Sequence, residues 1–281
     1  MPGWRVPATS GYRAILTRRP LQRLLDELEP DRLEVSDRTT LRWTGAWAQA
    51  RRIRSMMVSH DSQAGLMAMF SPPGVPAVRL ADRFNRRTAA SYDVVVCTTA
   101  WAAAEFRRLG VPNLLQVPLG VDLSCFCPER RDEGLRARLA PGGQALLVHC
   151  SRLSPEKRPQ RAIGALAELR RRGLPAVLVV AGDGPQRRAL QSQARGLPVR
   201  FLRHISDRGR LAQLLSTADV VIAPGPVETF GLSALEALAS GTPVVVSSRS
   251  ALPEIVGRLA RPRRTMMRRA PTRSSACWTG T

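Results

Sequence analysis

Two glutamates eight residues apart, Glu228 and Glu236, are the carboxylates best spaced for joint chemistry in this sequence. They lie in the segment 218–246, whose pattern predicts a buried strand, a Pro-Gly-Pro loop, a helix and a second strand. Eight residues advance a helix by roughly 800°, so both carboxylates would project from one side, about 12 Å apart along the axis. One would stand at the mouth of the helix and the other two turns further on.

The mouth of this predicted helix has the properties of an anion site. Its first amides have no intrahelical acceptor and lie at the positive end of the helix dipole. These amides belong to Thr229, Phe230, Gly231 and Leu232. A diphosphate flanked by two hydroxyl-bearing sugars would engage both the amides and the carboxylates. The plainer alternative is that Glu228 is an acid near the helix start and Glu236 belongs to a solvated face.

The segment ETFGLSALE, from Glu228 to Glu236, resembles the Glu-x7-Glu signature of the GT4 family of retaining glycosyltransferases. The flanking PGP and GTPVVV segments support the resemblance. It implies an α/β chain with the GT-B fold, in which two Rossmann-like domains face a cleft. It also implies that Glu228 holds the donor hexose, that the backbone from Thr229 to Leu232 binds sugar and phosphate, and that Glu236 binds the ribose.

A second motif, SRLSPEK, follows the predicted strand 145–150 and contains Arg152 and Lys157. In the GT4 family the matching arginine and lysine bind the donor diphosphate. The sequence has no Asp-x-Asp motif to hold a divalent ion there, so we expect no metal. Two fixed cations and a helix N-terminus can stabilise such a leaving group instead. A solvated basic loop is the alternative, although Lys157 is the only lysine in the chain.

Two histidine-containing loops complete the predicted site. His60 follows the predicted strand 53–58, and ligands of open α/β sheets bind at such carboxyl ends. By the resemblance, His60 contacts the donor hexose and joins Glu228 as a catalytic residue. The alternative is a histidine satisfied by hydrogen bonds within its loop. By the same resemblance, the loop with His204 and Ile205 borders the nucleotide base, where contacts often use backbone atoms.

The charge of the chain is strongly basic, with 43 lysine and arginine residues against 22 acidic ones and a net charge of +21. Such a surface attracts anionic lipid headgroups or nucleic acid. The arginines are scattered without aromatic interleaving or a known nucleic-acid module, so we expect no nucleic-acid partner. The five cysteines are not spaced as a zinc site and indicate reduced thiols in the cytoplasm. We expect no cofactor.

The segment PLGVD at 118–122 resembles the stretch that leaves the first GT4 domain. We therefore expect an acceptor-side domain over 1–122, a nucleotide-sugar-binding domain over 123–257 and a basic, disordered tail over 258–281. GT4 enzymes begin with a strand and a Gly-Gly loop, and neither precedes Pro20. We expect an incomplete first domain and a chain truncated at both ends.

The segments PGPVETFGL and LEVSD, with the arginine bias, resemble actinobacterial mannosyltransferases, including GDP-mannose-dependent enzymes that build phosphatidylinositol mannosides. This implies transfer of mannose from GDP-mannose to an anionic glycolipid, with retention, at the inner face of the plasma membrane. The alternative is a truncated, inactive remnant that binds a nucleotide sugar and transfers nothing.

Overall fold

Two parallel β-sheets organise the chain, as its alternation of apolar strands and helical segments predicts. The computed structural model describes residues 4–5, 13–72 and 74–259. The strands are β1 (Trp4–Arg5), β2 (Arg13–Ala14), β3 (Arg32–Val35), β4 (Arg54–Ser59), β5 (Val94–Cys97), β6 (Leu114–Gln116), β7 (Ala145–Cys150), β8 (Ala176–Ala181), β9 (Val199–Leu202), β10 (Val220–Ala223) and β11 (Val244–Val246).

Helices connect these strands. They are α1 (Arg18–Leu28), α2 (Trp43–Ala50), α3 (Gln63–Phe70), α4 (Ala77–Ser91), α5 (Ala100–Arg107), α6 (Glu133–Leu139), α7 (Gln160–Arg171), α8 (Arg187–Gln193), α9 (Arg208–Thr217), α10 (Leu232–Ala239) and α11 (Leu252–Leu259). Helix α11 continues two residues into the segment that we expected to be disordered from 258, and residues 260–281 of that tail lie outside the described ranges.

The first sheet has the order β3-β4-β5-β6 and the second the order β11-β10-β7-β8-β9, with parallel pairs throughout both. Strands β1 and β2 form a separate antiparallel pair in a segment without a clear sequence period. The two sheets fall within the two predicted domains, although the boundary at residue 122 stays a prediction. The α/β class is confirmed.

The second sheet is covered on both faces. Along β8 every residue is buried. Leu178 and Val180 pack into the cluster under α7 and α8, whereas Val177 and Val179 pack into the cluster with Phe126 and the residues of α9. Alternate side chains of a strand point to opposite faces, so a continuous apolar run indicates a sheet buried on both sides.

The strand order of the second sheet determines where a ligand can bind. From β7 the chain moves through β8 to β9 on one side, and then through β10 to β11 on the other. Neighbouring strands β7 and β10 therefore lead into loops that turn away from each other. A crevice opens outside the carboxyl ends at such a switch point, and open α/β sheets bind ligands there.

The turn after β8 packs tightly against the loop after β7. A Cβ on Gly182 would lie 1.9 Å from the carbonyl oxygen of Ser151, and one on Gly184 would lie 2.5 Å from that of Leu153. The amide of Leu153 donates to the carbonyl of Asp183 at 2.9 Å. The glycines therefore allow two loops of the switch point to meet backbone to backbone.

We expect Gly182→Ala to lower the free energy of unfolding by about 2 kcal/mol or more. The added Cβ would clash with Ser151, and the φ of 139° is one that L residues rarely adopt. Gly164→Ala is the matched control, because a Cβ there has open space. That control, inside α7, should be stabilising by about 0.5–1 kcal/mol. Urea unfolding followed by circular dichroism measures both. Equal midpoints would contradict the packing argument.

Candidate functional site

The cleft at the switch point has a volume of about 1030 Å³ and receives residues from both sheets. It brings together every side chain that the sequence predicted for the site. The residues are His60, Arg152, Lys157, His204, Ile205, Glu228, Thr229, Phe230, Gly231, Leu232 and Glu236. Loops after β4, β7, β9 and β10 and the first turns of α10 supply them.

Helix α10 begins at Leu232, two residues later than the apolar spacing from Phe230 predicted. Gly231 precedes it with a φ of 82°, and a Cβ there would lie 2.1 Å from Cδ2 of Leu252. This left-handed residue ends the loop, so the helix starts after it. The first intrahelical bonds run from Ala234 and Leu235 to the carbonyl of Gly231. The amides of Leu232 and Ser233 precede them, at the positive end of the helix. Thr229 and Phe230, whose amides were predicted to lie in the first turn, belong to the loop before the helix.

The loop before α10 is attached to the first sheet. The hydroxyl of Thr229 donates to the carbonyl of His60 at 2.5 Å, and the carbonyl of Thr229 accepts from the hydroxyl of Thr99 at 2.8 Å. The amide of Ala251 donates to the carbonyl of Glu228 at 2.9 Å. The side chain of His60 itself is exposed in the unliganded cleft. Its backbone role was not anticipated from the sequence.

Lys157 and Glu228 form an ion pair with each other across the cleft. Both side chains are about one-fifth exposed, at 20% and 21%. The sequence assigned Lys157 to a diphosphate and Glu228 to a hexose, so it did not predict this contact. A ligand that takes both residues must place an anion beside the ammonium and a hydroxyl beside the carboxylate. In the unliganded cleft, the ion pair gives each of the two partly buried charges a partner of opposite sign.

Arg152 lies on the outer side of the same loop. Its guanidinium is 3.5 Å from the carboxylate of Glu156, and its side chain is 41% exposed. Lys157 ends the 3₁₀ turn Pro155–Lys157, and Arg158 follows in the left-handed conformation. This tight turn brings Arg152 and Lys157 to one wall of the cleft, where both cations can reach a single diphosphate.

Glu236 lies about one turn into α10, half-buried, with Cys150 beside it. Glu228 lies in the loop before α10, so the prediction that both carboxylates project from one helix is wrong. Burial raises the pKa of Glu236 above its ordinary value of 4.5, and the positive charge of Arg208 opposes that rise. Burial also raises the pKa of the Cys150 thiol to about 12, with a further contribution from the charge of Glu236. Glu236 forms no ion pair with the described residues, so its carboxylate is able to accept hydrogen bonds from hydroxyl groups of a ligand.

The loop after β9 carries the two residues expected near a base. Ile205 is half-buried and packs against the cluster around Phe126, whereas His204 is exposed. Both residues line the main cleft and a neighbouring cavity of about 430 Å³. The loop can therefore offer an apolar surface to a planar group, with backbone groups at its edge.

Sequence reasoning missed three polar residues of this region. Thr98 and Thr99 follow β5, and the rule that ligands bind at carboxyl ends of parallel strands could have found them. His149 lies within β7 and is 1% exposed. Its Nδ1 is 2.8 Å from the carbonyl of Ile222 on β10, and its Nε2 is 3.0 Å from the hydroxyl of Ser151. Burial lowers its pKa, so a neutral ring ties the two strands together.

Among the residues that the structure describes, no three histidine, cysteine, aspartate or glutamate side chains come together in a group that could hold a metal ion. The carboxylates of the cleft are instead adjacent to cations or to the helix mouth. The arrangement can bind an extended anion through two cations and a helix N-terminus, with a carboxylate near each end of the ligand.

We expect Glu236→Gln to make the unliganded chain more stable than the wild type at pH 7.5. The pKa of this carboxyl is raised in the folded state, so the folded chain binds its proton more tightly than the unfolded chain. Stability therefore falls as the pH rises from about 4.5 through the raised pKa, and glutamine removes that loss. Denaturant unfolding at pH 4 and 7.5 measures the difference, which should vanish at the lower pH. Exposed Glu34→Gln is the control, and an equal effect of both substitutions would refute the prediction.

Comparison with protein families matches both halves of the chain. The family described as "Glycosyl transferases group 1" matches residues 131–261, and that described as "Glycosyl transferase 4-like domain" matches residues 1–121. Of the solved structures, Anabaena HepE in complex with UDP-glucose superimposes with a TM-score of 0.70 at 22% identity, covering 87% of this chain and 69% of that one. Sucrose-phosphate synthase from Thermosynechococcus elongatus gives a TM-score of 0.68 at 22% identity, covering 85% and 61%. At such identities the likeness shows the fold alone.

A curated relative is closer in sequence. The "GDP-mannose-dependent alpha-(1-6)-phosphatidylinositol dimannoside mannosyltransferase" of Mycobacterium tuberculosis is 50% identical over 256 residues. The match covers 91% of this chain and 67% of the relative, so the chain spans about two thirds of that relative's length. A "GDP-mannose-dependent alpha-mannosyltransferase" of the same species is 30% identical over 224 residues, covering 79% and 57%. The chain therefore belongs to the GT4 family of glycosyltransferases and has the GT-B fold.

Proposed function

We propose that this protein transfers mannose from GDP-mannose to a phosphatidylinositol mannoside-type glycolipid, with retention at the anomeric carbon. The observation that carries the proposal is the 50% identity to a phosphatidylinositol dimannoside mannosyltransferase over 91% of the chain. The cleft supports it, because cations, a helix mouth and two carboxylates converge where a nucleotide sugar would lie. GDP-mannose is the donor of that relative by its name, and the base-bordering loop by itself does not select guanine.

In this proposal the diphosphate occupies the wall formed by Arg152, Lys157 and the first amides of α10. Glu228 binds hydroxyls of the mannose, His60 contacts it from the first sheet, and Glu236 binds the ribose. As the bond between the anomeric carbon and the β-phosphate oxygen breaks, negative charge develops on GDP. Fixed cations and helix amides stabilise that charge without reorganisation.

The resemblance to GT4 enzymes suggests attack on the front face of the donor. The acceptor hydroxyl oxygen forms the new bond to the anomeric carbon, and its proton passes to an oxygen of the departing phosphate. The two bond changes and the proton transfer balance without any other reactant. Glu228 and His60 then act by holding the hexose in line with both oxygens, a contribution of orientation.

Calorimetric titration with GDP, GDP-mannose and UDP-glucose tests the donor site. We expect the wild type to prefer the two guanine ligands. Lys157→Ala should weaken both by about 10-fold or more, because a charge-assisted hydrogen bond to phosphate is lost. Glu228→Gln should lower the affinity for GDP-mannose relative to GDP, since it loses the hexose contact but releases Lys157 from its ion pair. Exposed Arg188→Gln on α8 removes one positive charge elsewhere and should change neither affinity.

Failure to bind any of these nucleotides, by a chain shown to be folded, would overturn the proposal. A transfer assay with radiolabelled GDP-mannose and a phosphatidylinositol mannoside acceptor separates the enzyme from the alternative. Labelled glycolipid supports transfer. Tight donor binding with no labelled product would favour the inactive nucleotide-sugar-binding remnant.

We also propose that the protein works at an anionic membrane surface from the cytoplasmic side. Three exposed apolar side chains lie near the start of α4: Val75, Val78 and Leu80. Exposed arginines follow along the same helix. The arginines are Arg79, Arg83, Arg86 and Arg87. Such a face combines apolar insertion with attraction to acidic headgroups. No helix in the described ranges has the length and apolarity needed to cross a bilayer.

Flotation with vesicles tests this surface. We expect binding to vesicles that contain phosphatidylinositol, little binding to phosphatidylcholine alone, and release in 1 M salt as charge screening grows. Changing Arg79, Arg83 and Arg87 together to glutamine should abolish most of the binding. Changing Arg161, Arg188 and Arg195 to glutamine removes equal charge from the second sheet's helices and loops and should have a small effect. Equal losses would indicate attraction by net charge and not by this face.

A further inference from the structure

Thr98, the residue directly after β5, has a buried hydroxyl that is left unpaired in the cleft wall. Thr98 is 2% exposed and lines the main cleft. Its Oγ1 has no hydrogen-bond partner among the residues that the structure describes. Buried hydroxyls of folded proteins are nearly always paired, because an unpaired one costs about 1–3 kcal/mol. Oγ1 itself has almost no accessible surface in the unliganded chain, so a ligand in the cleft reaches it only after the side chain rotates about its Cα–Cβ bond. Because Thr98 lines the cleft, a bound ligand is a partner that such a rotation would make available.

The sheet register places this hydroxyl next to the proposed hexose site. Ser59 of β4 pairs with Cys97 of β5, so His60 and Thr98 are the next residues on adjacent parallel strands. His60 is the residue proposed to contact the hexose from the first sheet. Thr98 therefore lies beside it at the same edge, where both strands end.

The nearby polar groups that could have satisfied Thr98 are engaged elsewhere. The hydroxyl of Thr99 donates to the carbonyl of Thr229, and the hydroxyl of Thr229 donates to the carbonyl of His60. These bonds close the junction between the first sheet and the loop before α10. Thr98 lies at that junction, and a threonine hydroxyl can both donate and accept. A sugar hydroxyl has the same two capacities.

We propose that Oγ1 of Thr98 hydrogen-bonds a hydroxyl of the sugar bound in the cleft, which makes Thr98 a further substrate-binding residue. This inference rests on the proposed function and extends its sugar site. The hydroxyl comes from the donor hexose or from the sugar of the glycolipid acceptor. In either case the contact discriminates against a deoxy analogue, since that analogue would leave a buried hydroxyl unpaired.

The test compares three variants of the full chain. Thr98→Val keeps the shape and removes the hydroxyl, whereas Thr98→Ser keeps the hydroxyl. Thr88→Val is the matched control. Thr88 is also fully buried with an unpaired Oγ1, but it lies in α4 and is not among the described residues that line the cleft. Thermal unfolding of each variant shows that it is folded before binding is measured.

Calorimetry with GDP and GDP-mannose and the KM for a phosphatidylinositol mannoside acceptor are the readouts. If the partner is the donor hexose, Thr98→Val should weaken GDP-mannose binding by about 3- to 10-fold and leave GDP unchanged. If it is the acceptor sugar, donor affinities stay constant and the acceptor KM rises by a similar factor. Thr98→Ser should restore most of either loss, and Thr88→Val should cause none.

Three results would overturn the inference, and they are distinguishable. If Thr98→Val binds GDP-mannose and transfers mannose as well as the wild type does, Thr98 does not bind the sugar. The proposed function of the protein then still stands. A folded wild type that binds no nucleotide sugar refutes the proposed function and this inference with it. A loss of GDP affinity in Thr98→Val equal to the loss for GDP-mannose also contradicts it, because GDP carries no hexose.

Discussion

The hydrogen bonds of Thr229 are the contact on which the cleft depends. Its hydroxyl binds the carbonyl after β4, and its carbonyl binds the hydroxyl of Thr99 after β5. The loop that leads into α10 is thus fixed by the first sheet, although its chain belongs to the second. Hydrogen bonds from the amides of Ala100 and Trp101 to the carboxylate of Glu254 support the same junction. Together these bonds fix the helix mouth relative to His60, and residues from both sheets line the cleft.

The ion pair between Lys157 and Glu228 gives the unliganded cleft its second constraint. The two side chains come from the loops after β7 and β10, the strands that flank the switch point. Below them the buried ring of His149 links the same two strands through the carbonyl of Ile222. Paired charges above and a neutral ring beneath hold both loops at a fixed separation. A bound donor would replace the contact between Lys157 and Glu228 with contacts of its own. Because the loops are already ordered, binding would not incur the entropy cost of ordering them.

Much of this molecule could be predicted from local pattern. Strand β7 has the predicted bounds, 145–150, and β4 begins and ends one residue later than the predicted 53–58, because buried parallel strands are short apolar runs between clear breaks. The segment 218–246 forms the predicted strand, loop, helix and strand. The resemblance around Glu228 and Glu236 pointed to the family and fold that the comparisons confirm. Every predicted site residue lines one cleft, since motifs after parallel strands share one edge of the sheet. The roles of those residues stay predictions.

The features that the sequence pattern did not predict either depend on long-range contacts or lie in segments without hydrophobic periodicity. Helix α3 is apolar nearly all round and α6 is only seven residues long, so neither has a recognisable period. The start of α10 moved to Leu232 because Gly231 takes a left-handed conformation against Leu252, a contact invisible in the sequence. The unpaired hydroxyl of Thr98 likewise becomes visible only once its neighbours are known to be engaged.

The half-buried thiol of Cys150 has a consequence for how this cleft withstands chemical stress. Thiol oxidation and alkylation proceed through the thiolate, and burial raises the pKa of this thiol to about 12, which favours the protonated form at neutral pH. The charge of Glu236, the neighbouring carboxylate, adds to this effect of burial. A cysteine in the wall of the cleft is therefore expected to react more slowly with peroxide or electrophiles than an exposed thiol.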